Sequence, residues 1–399
     1  MTSEPKFQAS RRSVLGLLGA APLAAGGVLA GSSAPASAAS GHGGVPAPLR
    51  RGGELDRLVE SLHAEDKFGG TVLVTRKGRT VYERSIGLAD RVRGISHGSD
   101  TRMSVGSITK MFTAVSVMQL VESRRLDLYT PIGAFVDGFA PEIADSVTAH
   151  HLLTHTSGLG DYMRVPGFFE AAQTWTSTEQ AWEGGLEFVR RDTPQFTPGV
   201  RGTYSNSGYY ILGALIAAVS QRSYYDVVRD TVFAKAGMSA SGFPTKPEWR
   251  DDPTIARPYQ LEDGRVVDTL EGRHFFIGNP AGNAFSTVAD LARFKKALLG
   301  NVLLSEPFTR IATTPKLMKP PLPPLPGAPR LTPMAGYVCG VSLIEDRDWI
   351  SGHNGGAPGV SANVEWYERG DWVVATLSNM GDRTTAPVDS LLRRVITGL

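Results

Sequence analysis

Residues 104–114 read Ser104-Val-Gly-Ser-Ile-Thr-Lys-Met-Phe-Thr-Ala114, SVGSITKMFTA in one-letter code. Apolar positions Ile108, Met111, Phe112, Val115, Met118 and Val121 follow at helical spacing and predict a helix over 108–124. Ser107 and Lys110 are three residues apart where that helix begins, so they share one face at about 5–6 Å between Cβ atoms. A serine hydroxyl is a poor nucleophile until a base takes its proton. A lysine can be that base only when neutral, and burial favours the neutral form. The helix N-terminus adds a field that favours negative charge nearby. The spacing permits an activated serine; the pattern S-x-x-K alone is common.

Two further clusters carry polar groups on glycine-rich turns. Tyr204-Ser205-Asn206 lies in GTYSNSGYYILG, just before an apolar helix candidate at 208–223. A tyrosine hydroxyl beside a lysine relays protons, and an asparagine amide fixes a lysine or a substrate carbonyl. His353-Asn354-Gly355-Gly356 lies in SGHNGGAPGVSANVEWY. Glycines there suggest a strand edge approached closely by another backbone, with N–H groups available to an oxyanion. Each cluster on its own also reads as an ordinary capping loop or hairpin.

Working outward, strands come early and late and helices lie between. ELDRLVESLHAED (54–66) has helical spacing, and two β-rich runs flank Lys77-Gly78 as a hairpin. Residues 125–285 are mostly helical patches joined by Gly/Pro loops. TVADLARFKKALLG (287–300) is an amphipathic helix with Thr287 as N-cap. AGYVCGVSLIE, ANVEWYER and DWVVATLSN alternate as strands, and PVDSLLRRVIT closes the chain as a helix. The reading is an α/β fold of the α+β type. Its antiparallel sheet is built from both chain ends and flanked by helices, with a mainly helical inserted lobe. The sheet lobe takes 53–115 and 286–399, and the helical lobe 116–285.

The first 38 residues read as a targeting peptide: Arg11-Arg12, a run of small and apolar residues, then Ala36-Ser37-Ala38. Export by the twin-arginine route to a secreted, periplasmic or wall-associated location is the expectation, with residues 39–52 as a linker. The peptide holds Lys6, Arg11, Arg12 and Glu4, so 38 basic and 38 acidic residues remain without it. That neutral balance predicts no nucleic-acid partner. Cys339 is the sole cysteine, which rules out an intramolecular disulfide, and its apolar surroundings read as core. Residues 315–333 hold eight prolines and read as a stiff extended connection. His150, His151 and His155 invite a metal reading, but no H-E-x-x-H accompanies them, and no metal or cofactor is expected.

Taken together and in order, Ser107-x-x-Lys110, Tyr204-x-Asn206 and His353-x-Gly355 resemble the penicillin-recognising serine hydrolases. The branch is that of class C β-lactamases, D-alanyl-D-alanine carboxypeptidases, D-aminopeptidases and β-lactamase-fold esterases. HLLTHTSGL (151–159), AFSTVADLARFKKALL (284–299) and GHNGGAPGVSA (352–362) fit as well. The resemblance implies Ser107 as the acylated nucleophile, with Lys110 and Tyr204 sharing the proton work. It implies Asn206 holding the acyl side chain's amide and His353 supporting Tyr204. The N–H groups of Ser107 and Gly356 would form the oxyanion hole, with Asn354 and Gly355 lining the substrate. Asn354 stands where Thr or Ser is common, which weakens the case for substrates ending in a free carboxylate. The expected substrate is a small molecule or peptide, either a cell-wall stem peptide or a small ester or amide. A β-lactam ranks third, and a non-catalytic wall-peptide-binding protein is the alternative from another class. Oligomeric state is not legible.

Overall fold

The computed structural model describes residues 45–319, 329–345, 347–381 and 383–399. The twin-arginine segment, residues 39–44 of the linker and residues 320–328 of the proline-rich stretch lie outside the described residues.

One eight-stranded antiparallel sheet organises the rest. Its strands are β1 (Gly70–Arg76), β2 (Arg79–Ile86), β3 (Leu317–Met318), β4 (Leu331–Ala335), β5 (Gly340–Ile344), β6 (Asp348–Ala357), β7 (Val360–Tyr367) and β8 (Trp372–Ser378). The spatial order is β2-β1-β8-β7-β6-β5-β4-β3. Both chain ends contribute, because β1 pairs with β8 from Gly70↔Ser378 to Arg76↔Trp372. Lys77 and Gly78, at φ 51° and 72°, make the tight turn joining β1 to β2.

Alternation along the strands buries both faces. Val72 and Val74 of β1 and Val374 of β8 face helices α1 (Glu54–Ala64) and α7 (Ala386–Thr397), with Leu55, Val59, Val388 and Leu392. Leu73, Ala375 and Leu377 face the opposite way, into the larger core. That core surrounds α2 (Thr109–Glu122), which is apolar on nearly every side and almost wholly buried. Phe112 of α2 meets Phe233 and Phe294 edge-on, each at 5.0 Å. Burying such a ring stabilises the fold by about 1.5–3 kcal/mol.

Between residues 116 and 285 the chain is mainly helical, including α3 (Ala149–Leu153), α4 (Thr178–Arg190) and α5 (Asn206–Ser220). After it, α6 (Val288–Leu299) starts at Thr287, whose hydroxyl accepts the Asp290 N–H at 3.1 Å. The expected strand over 335–345 is shorter than its alternation suggests. Tyr337, Val338 and Cys339 are buried in a turn closed by Gly336 N–H to the Cys339 carbonyl, and β5 begins only at Gly340. Their apolar character comes from core packing rather than from strand pairing.

Candidate active site

Ser107 owes its position to a sharp change of direction. The chain leaves a short strand at Ser104, turns at Gly106 with φ +49°, and enters α2 through a single 3-10 turn, Gly106–Ile108. The segment 279–284 clamps this corner. Val105 N–H donates to the Ala284 carbonyl at 2.8 Å, and Asn283 N–H to the Gly106 carbonyl at 3.0 Å. Thr109 Oγ1 donates to the Gly106 carbonyl at 2.7 Å and accepts the Ala284 N–H at 2.9 Å. Ser107 is thereby held, half-buried, at a helix entrance whose first N–H groups lack intrahelical partners.

One turn on, Lys110 is 1% exposed. Its Nζ lies 3.4 Å from Ser107 Oγ, 2.8 Å from Asn206 Oδ1 and 2.5 Å from the Ala281 carbonyl. The rings of Tyr204 and Tyr209 stand beside it, their centroids 4.7 and 5.4 Å from Nζ. Burial drives the lysine pKa down to about 7, against the opposing pull of the Asp161 carboxylate. Near neutrality the amine is therefore divided between its charged and neutral forms.

Tyr204 stands within reach of the Ser107 side chain. Ser205 caps α5 through its hydroxyl, which accepts the Gly208 N–H at 2.8 Å; Tyr204 therefore precedes the helix and Asn206 begins it. Tyr204 is 47% exposed, forming part of the cleft wall. Packing around its phenol raises the hydroxyl pKa, and the Ser107 side chain acts the opposite way. It is a protonated phenol at neutral pH.

His155 sets this loop. Its carbonyl accepts the Thr203 N–H at 2.8 Å and its Nδ1 accepts the Ser205 N–H at 3.2 Å. Its ring lies tilted against Tyr204 at 4.8 Å and against Tyr209 at 5.2 Å. Burial holds its pKa well down, so the ring is neutral. His150 Nδ1 lies 2.7 Å from Tyr337 Oη, while His151 Nδ1 takes the Thr148 N–H at 3.3 Å in a capping box. The three histidines thus go to three separate structural duties. Among the described residues no group of His, Cys, Asp and Glu is arranged to hold a metal ion.

The third cluster closes the site. β6 pairs with β5 only from Asp348 to Gly352, so His353–Ala357 pair with β7 alone and leave one edge open. One face of that segment packs against the Ser107 corner at backbone distance. A Cβ on Gly355 would lie 2.0 Å from the Val105 carbonyl oxygen and 2.9 Å from the Ser107 nitrogen. One on Gly106 would lie 2.7 Å from the Gly356 nitrogen. Only glycine permits this approach, and it brings the Ser107 and Gly356 nitrogens to adjoining backbones. His353 is half-buried, with Nδ1 2.5 Å from the Asn354 carbonyl. Burial, then the positive charges of Lys110 and Lys319, push its pKa down to about 3. It offers a neutral ring rather than a charge. Asn354 and Gly356 are exposed on the open strand.

Asn206 uses both ends of its amide inside the protein. Oδ1 accepts from Lys110, and Nδ2 donates to Asp161 Oδ2 at 3.0 Å. Asp161, His155 as a partner of Tyr204, and the Ala281 carbonyl are the members that sequence reasoning missed. The turn residues Asn279-Pro-Ala-Gly-Asn283 mark where that carbonyl sits; nothing in the sequence marks Asp161. A separate cleft of about 730 Å³ lies between α1 and α7, beside Glu54, Arg57 and Leu391, and contains none of these groups.

Residues 55–397 match the family described as beta-lactamase. A penicillin-binding protein of Bacillus subtilis is 28% identical over 83% of this chain and 72% of its own length. Esterase EstB of Burkholderia gladioli is 39% identical over 54% of this chain and 57% of its own. The crystal structure of a penicillin-binding protein from Bacillus halodurans superposes with a TM-score of 0.71 at 26% identity, covering 84% of this chain and 98% of that one.

Proposed function

Since the chain belongs to the beta-lactamase family, whose members are serine hydrolases, we propose that it cleaves small esters and amides, D-amino-acid peptides among them, through an acyl-enzyme on Ser107. The observation that carries this reading is Lys110, buried, poised near neutral pKa and 3.4 Å from Ser107 Oγ. The relatives' names, a penicillin-binding protein and an esterase, support the same range of substrates.

The steps follow from the groups present. Neutral Lys110 takes the Ser107 hydroxyl proton as Oγ bonds to the substrate carbonyl carbon. The carbonyl oxygen becomes an oxyanion facing the Ser107 and Gly356 N–H groups. Collapse breaks the bond to the alcohol or amine, which leaves with a proton relayed from Lys110 through the Tyr204 hydroxyl. Water then attacks the acyl carbon, giving its proton to the same relay; the Oγ–acyl bond breaks, Ser107 Oγ takes that proton back, and the acid is released. Tyr204, held as a phenol, passes protons without serving as the resting base. The neutral His353 ring and Asn354 line the leaving-group end.

A peptide ending in a free carboxylate is the second reading. Lys319 favours it, because its positive charge bears on His353 and His155 from the β3 end of the cleft. Export is part of the proposal, resting on Arg11-Arg12 and the Ala36-Ser37-Ala38 site.

Ser107→Ala tests the reading. It abolishes turnover of p-nitrophenyl butyrate and covalent labelling by a fluorescent penicillin or fluorophosphonate. Undiminished turnover in that variant would refute it. A panel of p-nitrophenyl esters, D-Ala-D-Ala peptides and nitrocefin ranks the substrates. Labelling without turnover of any of them would favour a binding protein.

A further inference from the structure

Asp161 is a carboxylate at the edge of this site. Its Oδ1 accepts the Met163 N–H at 3.1 Å, capping the short turn Tyr162–Arg164, and Oδ2 accepts from Asn206. It is partly open to solvent. Among the described residues no lysine or arginine forms an ion pair with it, whereas Asp56, Asp268 and Glu365 each hold an arginine. The cation that feels it is Lys110, whose charged form it favours. Nearby, Asp192 accepts from Ser207 Oγ at 2.5 Å and Gly160 N–H at 3.1 Å, and burial raises its pKa. Three hydrogen bonds run from Asp161 through Asn206 and Lys110 to Ser107.

Asn206 leaves little for a substrate. Its oxygen is taken by Lys110 and one of its two N–H bonds by Asp161, so the carboxylate is the strongest recognition element on that wall. We propose that Asp161 receives the ammonium group of the acyl part of the substrate, so that the preferred acyl donor is an amino-acid ester or amide with a free α-amine. This deepens the Ser107 acyl-enzyme reading and rests on it.

Binding of such a substrate also acts on the base. The groups facing Lys110 are Asp161, Asn206, Ser107, the Ala281 carbonyl, the rings of Tyr204 and Tyr209, and the neutral His155 and His353. Asp161 is the one anion among them. An ammonium placed on it offsets the charge that holds Lys110 protonated, and so moves the lysine toward the free amine when a substrate needs it.

The test compares D- and L-alanine p-nitroanilide with their N-acetyl counterparts on the full chain, with Asp161→Asn and Asp161→Glu beside the parent. We expect the parent to prefer one free-amine enantiomer over its N-acetyl form by about tenfold or more in kcat/KM, with Asp161→Asn losing most of that ratio and Asp161→Glu regaining part of it. The acid limb of kcat falls at lower pH with the free-amine substrate than with the N-acetyl one, and Asp161→Asn merges the two. Fluorophosphonate labelling of Ser107 reports that each variant retains a formed site. A parent that prefers N-acetyl substrates, or a ratio unmoved in a labelled Asp161→Asn, overturns the subsite alone. A parent never labelled at Ser107 removes the acyl-enzyme reading and this proposal with it.

Discussion

Lys110 Nζ is 2.8 Å from Asn206 Oδ1, closer than its 3.4 Å to Ser107 Oγ. In the resting site the amine is held by a neutral amide oxygen, so the lysine is positioned without being fixed as an ion. Asn206→Asp changes that while keeping the shape. A carboxylate at 2.8 Å favours the ammonium and raises the lysine pKa. At pH 7 kcat/KM falls by about tenfold or more, recovering as pH rises. A pH–rate profile checks it: the acid limb moves to higher pH in the variant. A profile that only drops in height, with no sideways shift, would mean Asn206 does not control the lysine.

The parent enzyme's own profile follows from the same residue. In the proposed mechanism activity needs neutral Lys110, whose pKa is lowered to about 7. Therefore kcat/KM rises with pH through about 7 and levels off above it. Tyr204 has its pKa raised by burial, so it does not set that limb. Tyr204→Phe lowers kcat by about 10²–10⁴-fold, as loss of a proton relay does, and leaves the limb near 7 in place. Disappearance of the limb in Tyr204→Phe would instead make the phenol the base.

The fold was largely legible because its signals are periodic. Helix α2 announced itself at Ile108, Met111, Phe112 and Val115, and the Lys77-Gly78 turn by its residue types. The sheet's assembly from both ends followed from strands early and late. The site was legible only where a motif carries chemistry within a few residues, as with Ser107 and Lys110. Asp161 and the Ala281 carbonyl lie 51 and 171 residues from their functional neighbours Ser107–Lys110, and no local spacing links them. His155 is visible as a histidine but not as a partner of Tyr204, because a ring contact across 49 residues leaves no pattern in the chain. Cys339 lies in the core, as its apolar run indicates, but the strand begins only at Gly340, since burial and strand pairing leave the same apolar trace.

Gly355 offers a steric test of the oxyanion arrangement. Gly355→Ala puts a methyl 2.0 Å from the Val105 carbonyl oxygen and 2.9 Å from the Ser107 nitrogen. The two backbones must part, which separates the N–H groups of Ser107 and Gly356. Loss of one oxyanion donor costs about 10²–10³-fold in kcat, and this change would disturb both donors of the proposed oxyanion hole. Circular dichroism and thermal melting establish whether the variant is folded. A folded Gly355→Ala with parental kcat would show that these two N–H groups do not hold the oxyanion.

The last prediction concerns the fold behind the sheet. Asp389 of α7 is 5% exposed, and its Oδ1 has no hydrogen-bond partner among the described residues. Burial first, then the nearby Glu365 carboxylate, raise its pKa to about 7, with Arg393 pulling the other way. Glu365 is already committed to Arg393, which donates to it at 3.0–3.1 Å. A carboxyl whose folded pKa exceeds its unfolded value of 3.8 stabilises the fold fully below that value. The contribution fades as pH rises from there to about 7. Stability attributable to this group therefore falls by about 1.4 kcal/mol per pH unit through that window. Asp389→Asn keeps the shape and removes the titration. Denaturant unfolding at pH 5 and pH 8 checks it: the variant gains on the parent as pH rises, and its stability changes less between the two. Equal losses in both proteins would show that Asp389 is ionised in the folded state and that Arg393, not a proton, compensates it.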